Sequence, residues 1–193
     1  AAMADHCAPG TPLIAETGGL NAMIVDSTAL PEQAVQAVIE SAFQSAGQRC
    51  SALRCLYVQE DIAAPFLKML TGAMQSLTLG DPWHLSTDIG PVIDEAARKG
   101  IADHIATARS EGRVIAELQT PDSGTYIAPT ILRVEGISDL EREIFGPVLH
   151  FTTFKSHELD RVIDAINGTG YGLTFGLHTR IDDRVQHVSE RIT

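Results

Sequence analysis

A cysteine stands between an arginine and a serine in the run G-Q-R-C-S, residues 47–51, just past a glycine. The thiolate is the form of cysteine that attacks an electrophilic carbon, and a neighbouring positive charge such as that of Arg49 favours it. Two carboxylates draw the eye beside this thiol. Glu16 opens E-T-G-G, 34 residues before Cys50, where two glycines let the backbone turn tightly and leave the acid in a loop. Glu143 opens E-I-F-G-P-V, with Phe145 ahead of a Gly-Pro turn. A thiol, a carboxylate and a polar-aromatic loop suit acyl chemistry in which an activated water releases a covalent intermediate.

Each of these residues also has a plainer reading. A free cysteine commonly packs as a small hydrophobe, and a glutamate among glycines is ordinarily a solvated loop residue. Cys55 reads as strand-interior packing, and Cys7 has no chemical context. The histidines (His6, His84, His104, His150, His157, His178 and His187) form no H-E-x-x-H and no close ligand pair, so no metal is expected. His178 draws attention for its place beside the glycine-rich run at 167–172. From the residues alone, a cysteine hydrolase using one of these imidazoles as base and a non-catalytic scaffold both stay open beside the enzyme reading.

The elements that must position these groups are visible as changes in hydrophobic period. An apolar run at 20–25 reads as a strand. Pro31 opens a stretch in which Val35, Val38, Ile39, Ala42, Phe43 and Ala46 keep helical spacing, and Gly47 closes it. Residues 53–58 read as a buried strand, which puts Cys50 on a helix-to-strand connection. A second helix is expected with Asp61 as its cap and Ile62, Phe66, Leu70, Met74 and Leu77 on one face. Residues 79–91 are dense in turn formers, and a further helix is expected over 94–108. Strands follow near Val114 and at 126–128, 131–134 and 148–154. A helix over 159–166, a strand over 173–177 and a last helix from Asp182 complete the chain. Strands alternating with helices predict an α/β fold with a largely parallel sheet.

With 14 basic and 25 acidic residues the formal charge is −11, which disfavours nucleic-acid binding. No apolar run approaches the ~20 residues of a membrane helix. Three cysteines without a C-x-x-C pair, and no leader-like N-terminus, point to a reducing cytoplasm. The ending V-Q-H-V-S-E-R-I-T reads as helix up to its last residues, so the chain is expected to be a piece of something longer.

The signatures E-T-G-G-L-N-A from Glu16, G-Q-R-C-S-A from Gly47, G-D-P from Gly80 with I-G-P from Ile89, Y-I-A-P-T from Tyr126, and E-I-F-G-P-V from Glu143 resemble, in order, those of the aldehyde dehydrogenase superfamily. Within it, I-A-E-T-G-G-L-N-A-M-I-V-D-S and A-G-Q-R-C-S-A-L-R are most similar to one branch. This is the L-glutamate γ-semialdehyde (1-pyrroline-5-carboxylate) dehydrogenase half of the bifunctional proline utilisation A flavoenzymes. The resemblance implies that Cys50 attacks the aldehyde, that Glu16 activates the hydrolytic water, and that Glu143 and Phe145 meet the ribose and nicotinamide of NAD. It also implies that Arg49 and Ser51 flank the substrate and that Thr169 and Gly170 anchor its charged end. It divides the chain at residue 26, with 1–26 as the end of the cofactor-domain side carrying the Glu loop and 27–193 as a thiol domain incomplete at its C-terminus. The NAD-binding and FAD-bearing proline dehydrogenase domains would belong to the rest of the same polypeptide, a homo-oligomer at full length. Without the cofactor half, the chain is expected to be inactive alone.

Overall fold

Ridged apolar faces and turn residues build one α/β layer structure, seen in a computed structural model that describes residues 4–13 and 18–193. Its strands are β1 (Asn21–Val25), β2 (Leu53–Gln59), β3 (Val114–Glu117), β4 (Thr130–Arg133), β5 (Val148–Phe154) and β6 (Phe175–His178). Its helices are α1 (Pro31–Phe43), α2 (Glu60–Gln75), α3 (Glu95–Ser110), α4 (Leu159–Asn167) and α5 (Asp182–Arg191). The sheet runs β3-β4-β5-β2-β1-β6, parallel throughout except for the antiparallel edge pair β3–β4. The expected α/β class with a largely parallel sheet is therefore observed.

A parallel sheet must be covered on both faces, and its central strands accordingly read as continuous apolar runs. β1 and β2 are buried at every position. Alternation along β1 sends Met23 and Val25 into one core with Val38 and Phe43 of α1, Phe66, Leu70 and Met74 of α2, and Ile101 and Ile105 of α3. Ala22 and Ile24 face the other core, shared with Ile163 and Ile166 of α4 and Val188 of α5. The boundary expected after residue 26 thus follows a strand that is hydrogen bonded on both sides within this sheet. At its end the buried Asp26 pairs with Arg184 of α5 at 2.7 Å, tying the sheet to the last helix.

Some local expectations differ from the structure; Ala46 and Leu77, expected on α1 and α2, lie past the ends of those helices at Phe43 and Gln75. Asp61 lies in the first turn of α2 but does not cap it; Gln59 holds the cap position and its side-chain amide donates to Asp61. Residues 126–128 form a connection rather than a strand. Pro129 has no N–H for a ladder, and the neighbouring carbonyls of Thr125 and Pro129 accept from Val92 and Leu118. α3 begins as expected at Asp94, whose carboxylate accepts from the Ala97 N–H at 2.7 Å. Among the described residues no helix is long and apolar enough to cross a membrane.

Candidate active site

Between α1 and β2 the chain does something L-residues avoid. Ser45, Ala46 and Gly47 take left-handed conformations in succession, with φ of 57°, 53° and 64°. Such a conformation costs about 1 kcal/mol or more at each non-glycine position, and strain of this kind gathers where a loop must present a functional group. Glycine is required at 47 for a second reason. A Cβ there would lie 2.1 Å from the carbonyl oxygen of Gly146, so the thiol loop and the 143–148 loop touch main chain to main chain.

Three residues further on, Cys50 is exposed. Its carbonyl accepts from the Asn21 side-chain amide at 2.7 Å, and the same amide donates to the Ala52 carbonyl at 2.8 Å. Among the described residues its own N–H makes no hydrogen bond, which leaves that donor for an incoming oxygen. Cys55, by contrast, is fully buried in β2, and burial pushes its thiol well above the usual range. Arg49 turns back onto α1, where its guanidinium donates to the carbonyls of Glu40 and Ser41, as cations do at a helix C-terminus.

Glu16 lies outside the described residues. Of the residues that follow it, a Cβ on Gly19 would come within 3.0 Å of the Cys50 carbonyl, and one on Gly18 within 2.7 Å of Glu143 Oε2. Gly18 and Gly19 thus lie against Glu143 and the thiol loop. The Gly19 N–H donates to Glu143 Oε2 at 3.1 Å.

Glu143 is held from the other side by Arg54, a residue passed over in the sequence. Arg54 donates to Glu143 Oε1 from Nε at 3.1 Å and from Nη2 at 2.8 Å. It also donates to the carbonyls of Gly146 and Arg49, and its guanidinium lies 5.4 Å from the centre of the Phe145 ring. Its side chain is 0% exposed and that of Glu143 11%. One signal was legible: a charged residue inside the apolar run L-R-C-L-Y-V must be paired if the strand is buried. Phe145 is half-exposed at the rim of a hollow of about 250 Å³ lined by Ala96, Ala97, Gly100 and residues 142–145.

The 168–174 loop reaches the thiol loop at one end, where the Thr174 hydroxyl donates to the Ser51 carbonyl at 3.5 Å. Thr169 and Gly170 sit at its other end, on the C-terminus of α4, where the Thr169 hydroxyl donates to the Ile166 carbonyl and Gly170 takes φ of 73°. His178 is on the edge strand β6, opposite Val25, with burial pulling its imidazole below the ordinary value. His150 is buried in β5 with both ring nitrogens engaged. Nδ1 lies 2.9 Å from the Arg54 carbonyl and so donates to it, leaving Nε2 to accept from His104 at 3.0 Å. Burial drives His150 down to about 4. These two imidazoles serve each other and the strand, not the thiol.

Comparison with known proteins identifies the family. The sequence model of the aldehyde dehydrogenase family matches residues 1–193. The bifunctional protein PutA of Salmonella typhimurium is 52% identical over 186 residues, 92% of this chain and 14% of that protein. A 1-pyrroline-5-carboxylate dehydrogenase of Bacillus cereus is 35% identical over 181 residues, 92% of this chain and 35% of that protein. Among solved structures, a bifunctional proline utilization A superposes with a TM-score of 0.92 at 48% identity, over 96% of this chain and 19% of that one. The Bdellovibrio bacteriovorus counterpart superposes with a TM-score of 0.85 at 32% identity, over 91% and 18%. The chain therefore spans about a seventh of the length of the PutA relatives it matches.

Proposed function

This chain belongs to the aldehyde dehydrogenase family, and from that premise we propose that it is the thiol-bearing part of an enzyme oxidising L-glutamate γ-semialdehyde to L-glutamate with NAD. The supporting observation is the exposed Cys50 thiol, carried on a loop whose left-handed turn abuts the Glu143 loop at Gly47 and Gly146. In this reading the rest of a longer polypeptide supplies the cofactor-binding half and a flavin-dependent proline dehydrogenase, in a cytoplasmic homo-oligomer.

The residues present suit the cofactor. A carboxylate with accepting capacity to spare lies beside a half-exposed aromatic ring and a hollow floored by Ala96, Ala97 and Gly100, which fits a sugar diol and a flat ring. Glu143 would accept from the ribose hydroxyls and Phe145 would pack on the nicotinamide. When bound, NAD supplies the hydride acceptor that turns the adduct on Cys50 from thiohemiacetal to thioester.

The chain's own groups do the rest. Cys50 Sγ forms a bond to the aldehyde carbon, and the oxygen that gains charge meets the Cys50 N–H, which has no partner among the described residues; one such donor typically contributes ~3 kcal/mol. Glu16 takes a proton from the water that attacks the thioester carbon, and the thiolate leaves with the C–S electron pair. Arg49 and Ser51 border the substrate, with Thr169, Gly170 and the amides of their loop on its amino-acid end.

The test uses the complete polypeptide. L-Glutamate γ-semialdehyde is expected to be oxidised with kcat/KM at least 100-fold above that for acetaldehyde, and Cys50→Ala to abolish the reaction. Equal kcat/KM for the two aldehydes, or turnover surviving in Cys50→Ala, refutes the assignment. The isolated 193-residue chain is expected to show no NAD-dependent oxidation.

A further inference from the structure

Arg54 is the extra residue of a bulge. β1 and β2 pair Asn21 with Leu53 and then Ala22 with Cys55, so Arg54 has no partner in β1. Bulges beside active sites commonly re-aim a side chain, and here the backbone at the bulge is secured by the buried His150, whose Nδ1–H donates to the Arg54 carbonyl. The side chain is thereby delivered, fully buried, to the junction of the thiol loop and the 143–148 loop. It reaches the Arg49 carbonyl next to Cys50, the Gly146 carbonyl next to the Gly47 contact, and both sides of Glu143 Oε1.

A carboxylate offers about four accepting positions. Arg54 occupies both on Oε1, and the Gly19 N–H takes one on Oε2. We propose that Arg54 is the positioning residue of the cofactor side: it saturates Oε1 and neutralises the acid, so that Oε2 is the acceptor left for a ligand hydroxyl. This rests on the reading of Glu143 as the ribose-binding acid, and it adds a cation that never touches the ligand yet sets how that acid presents itself. A lysine cannot substitute fully, because one ammonium cannot grip the carboxylate in a fork while also reaching two carbonyls.

The experiment is a double-substitution cycle in the complete dehydrogenase, with NAD affinity measured by titration calorimetry and the KM values for NAD and aldehyde measured separately. Glu143→Gln is expected to weaken NAD binding about tenfold or more, the usual scale for loss of a charged hydrogen-bonding partner. Arg54→Met is expected to weaken it similarly, Arg54→Lys by less, and the double variant no more than Glu143→Gln alone, with the aldehyde KM little changed. If the double variant loses the product of the two single effects, Arg54 acts independently of Glu143 and the proposal is overturned. An Arg54→Met protein binding NAD within twofold of the parent overturns it too. If Glu143→Gln itself leaves NAD affinity unchanged, the ribose reading fails and the role of Arg54 falls with it. Should Arg54→Met not fold, the double variant still decides, since it leaves no lone buried charge: affinity equal to Glu143→Gln supports the proposal, and a further tenfold loss overturns it.

Discussion

Gly47→Ala puts the contact between the two loops to a numerical test. The added Cβ would lie 2.1 Å from the Gly146 oxygen, 2.6 Å from the Gly146 carbonyl carbon and 2.9 Å from the Ala42 oxygen, all main-chain atoms. Real Cβ atoms essentially never come under 3.0 Å, so one loop must retreat by nearly an ångström. Overpacking of this kind costs about 1–3 kcal/mol, and holding alanine at φ of 64° adds about 1 kcal/mol more. For a domain of this size, that total lowers the melting midpoint by roughly 5–15 °C. The control is the same substitution at Gly72 in the interior of α2, where nothing lies within 4 Å. There alanine removes backbone freedom from the unfolded chain, and the midpoint is expected to rise by about 1–4 °C. Calorimetric melting of both variants checks the pair, with Cys50 alkylation rates reporting on the thiol loop. A Gly47→Ala protein that melts within about 2 °C of the parent and alkylates at the parent rate would show that the loops do not abut as described.

Three other outcomes are expected. His150 is neutral in the fold down to about pH 4, whereas the unfolded chain protonates it near 6.5, so the unfolded state binds the extra proton in that window. Stability should therefore fall as pH drops from about 6.5 to 4, by on the order of 3 kcal/mol from this group. The groups facing it, His104, Arg113 and Arg54, oppose its charge as well, and His150→Gln should flatten this part of a denaturant-melt pH series. Iodoacetamide followed by peptide mapping should modify Cys50 in the native protein and reach Cys55 only after unfolding. Asp94→Ala removes the side-chain cap of α3 and should cost about 1 kcal/mol in urea unfolding.

Elements set by local pattern were legible. Pro31 does open α1, and the apolar run at 53–58 is β2 to within a residue. What escaped depends on contacts distant in sequence. Ala46 keeps the helical spacing of α1, yet it lies in the left-handed turn, because Gly47 has to meet Gly146 almost a hundred residues later. Arg54 is one charged residue within the apolar run at 53–58, and its meaning appears only when Glu143 and Gly146 arrive beside it. The candidate site followed the same division. Cys50 and Glu143 announced themselves through their turn-forming neighbours, whereas the guanidinium that joins their loops carried no such label.

The bare backbone seam between positions 47 and 146 also sets terms for how such an enzyme can change. With no side chain at the point of contact, position 47 cannot acquire bulk without parting the Cys50 loop from the Glu143 loop. On the proposed reading, variation in what is bound would fall to segments free of that seam, such as 168–174, whose Thr174 hydroxyl donates to the Ser51 carbonyl. The proposed reading thereby assigns the spacing of the two loops and the choice of ligand to separable parts of one small sheet domain.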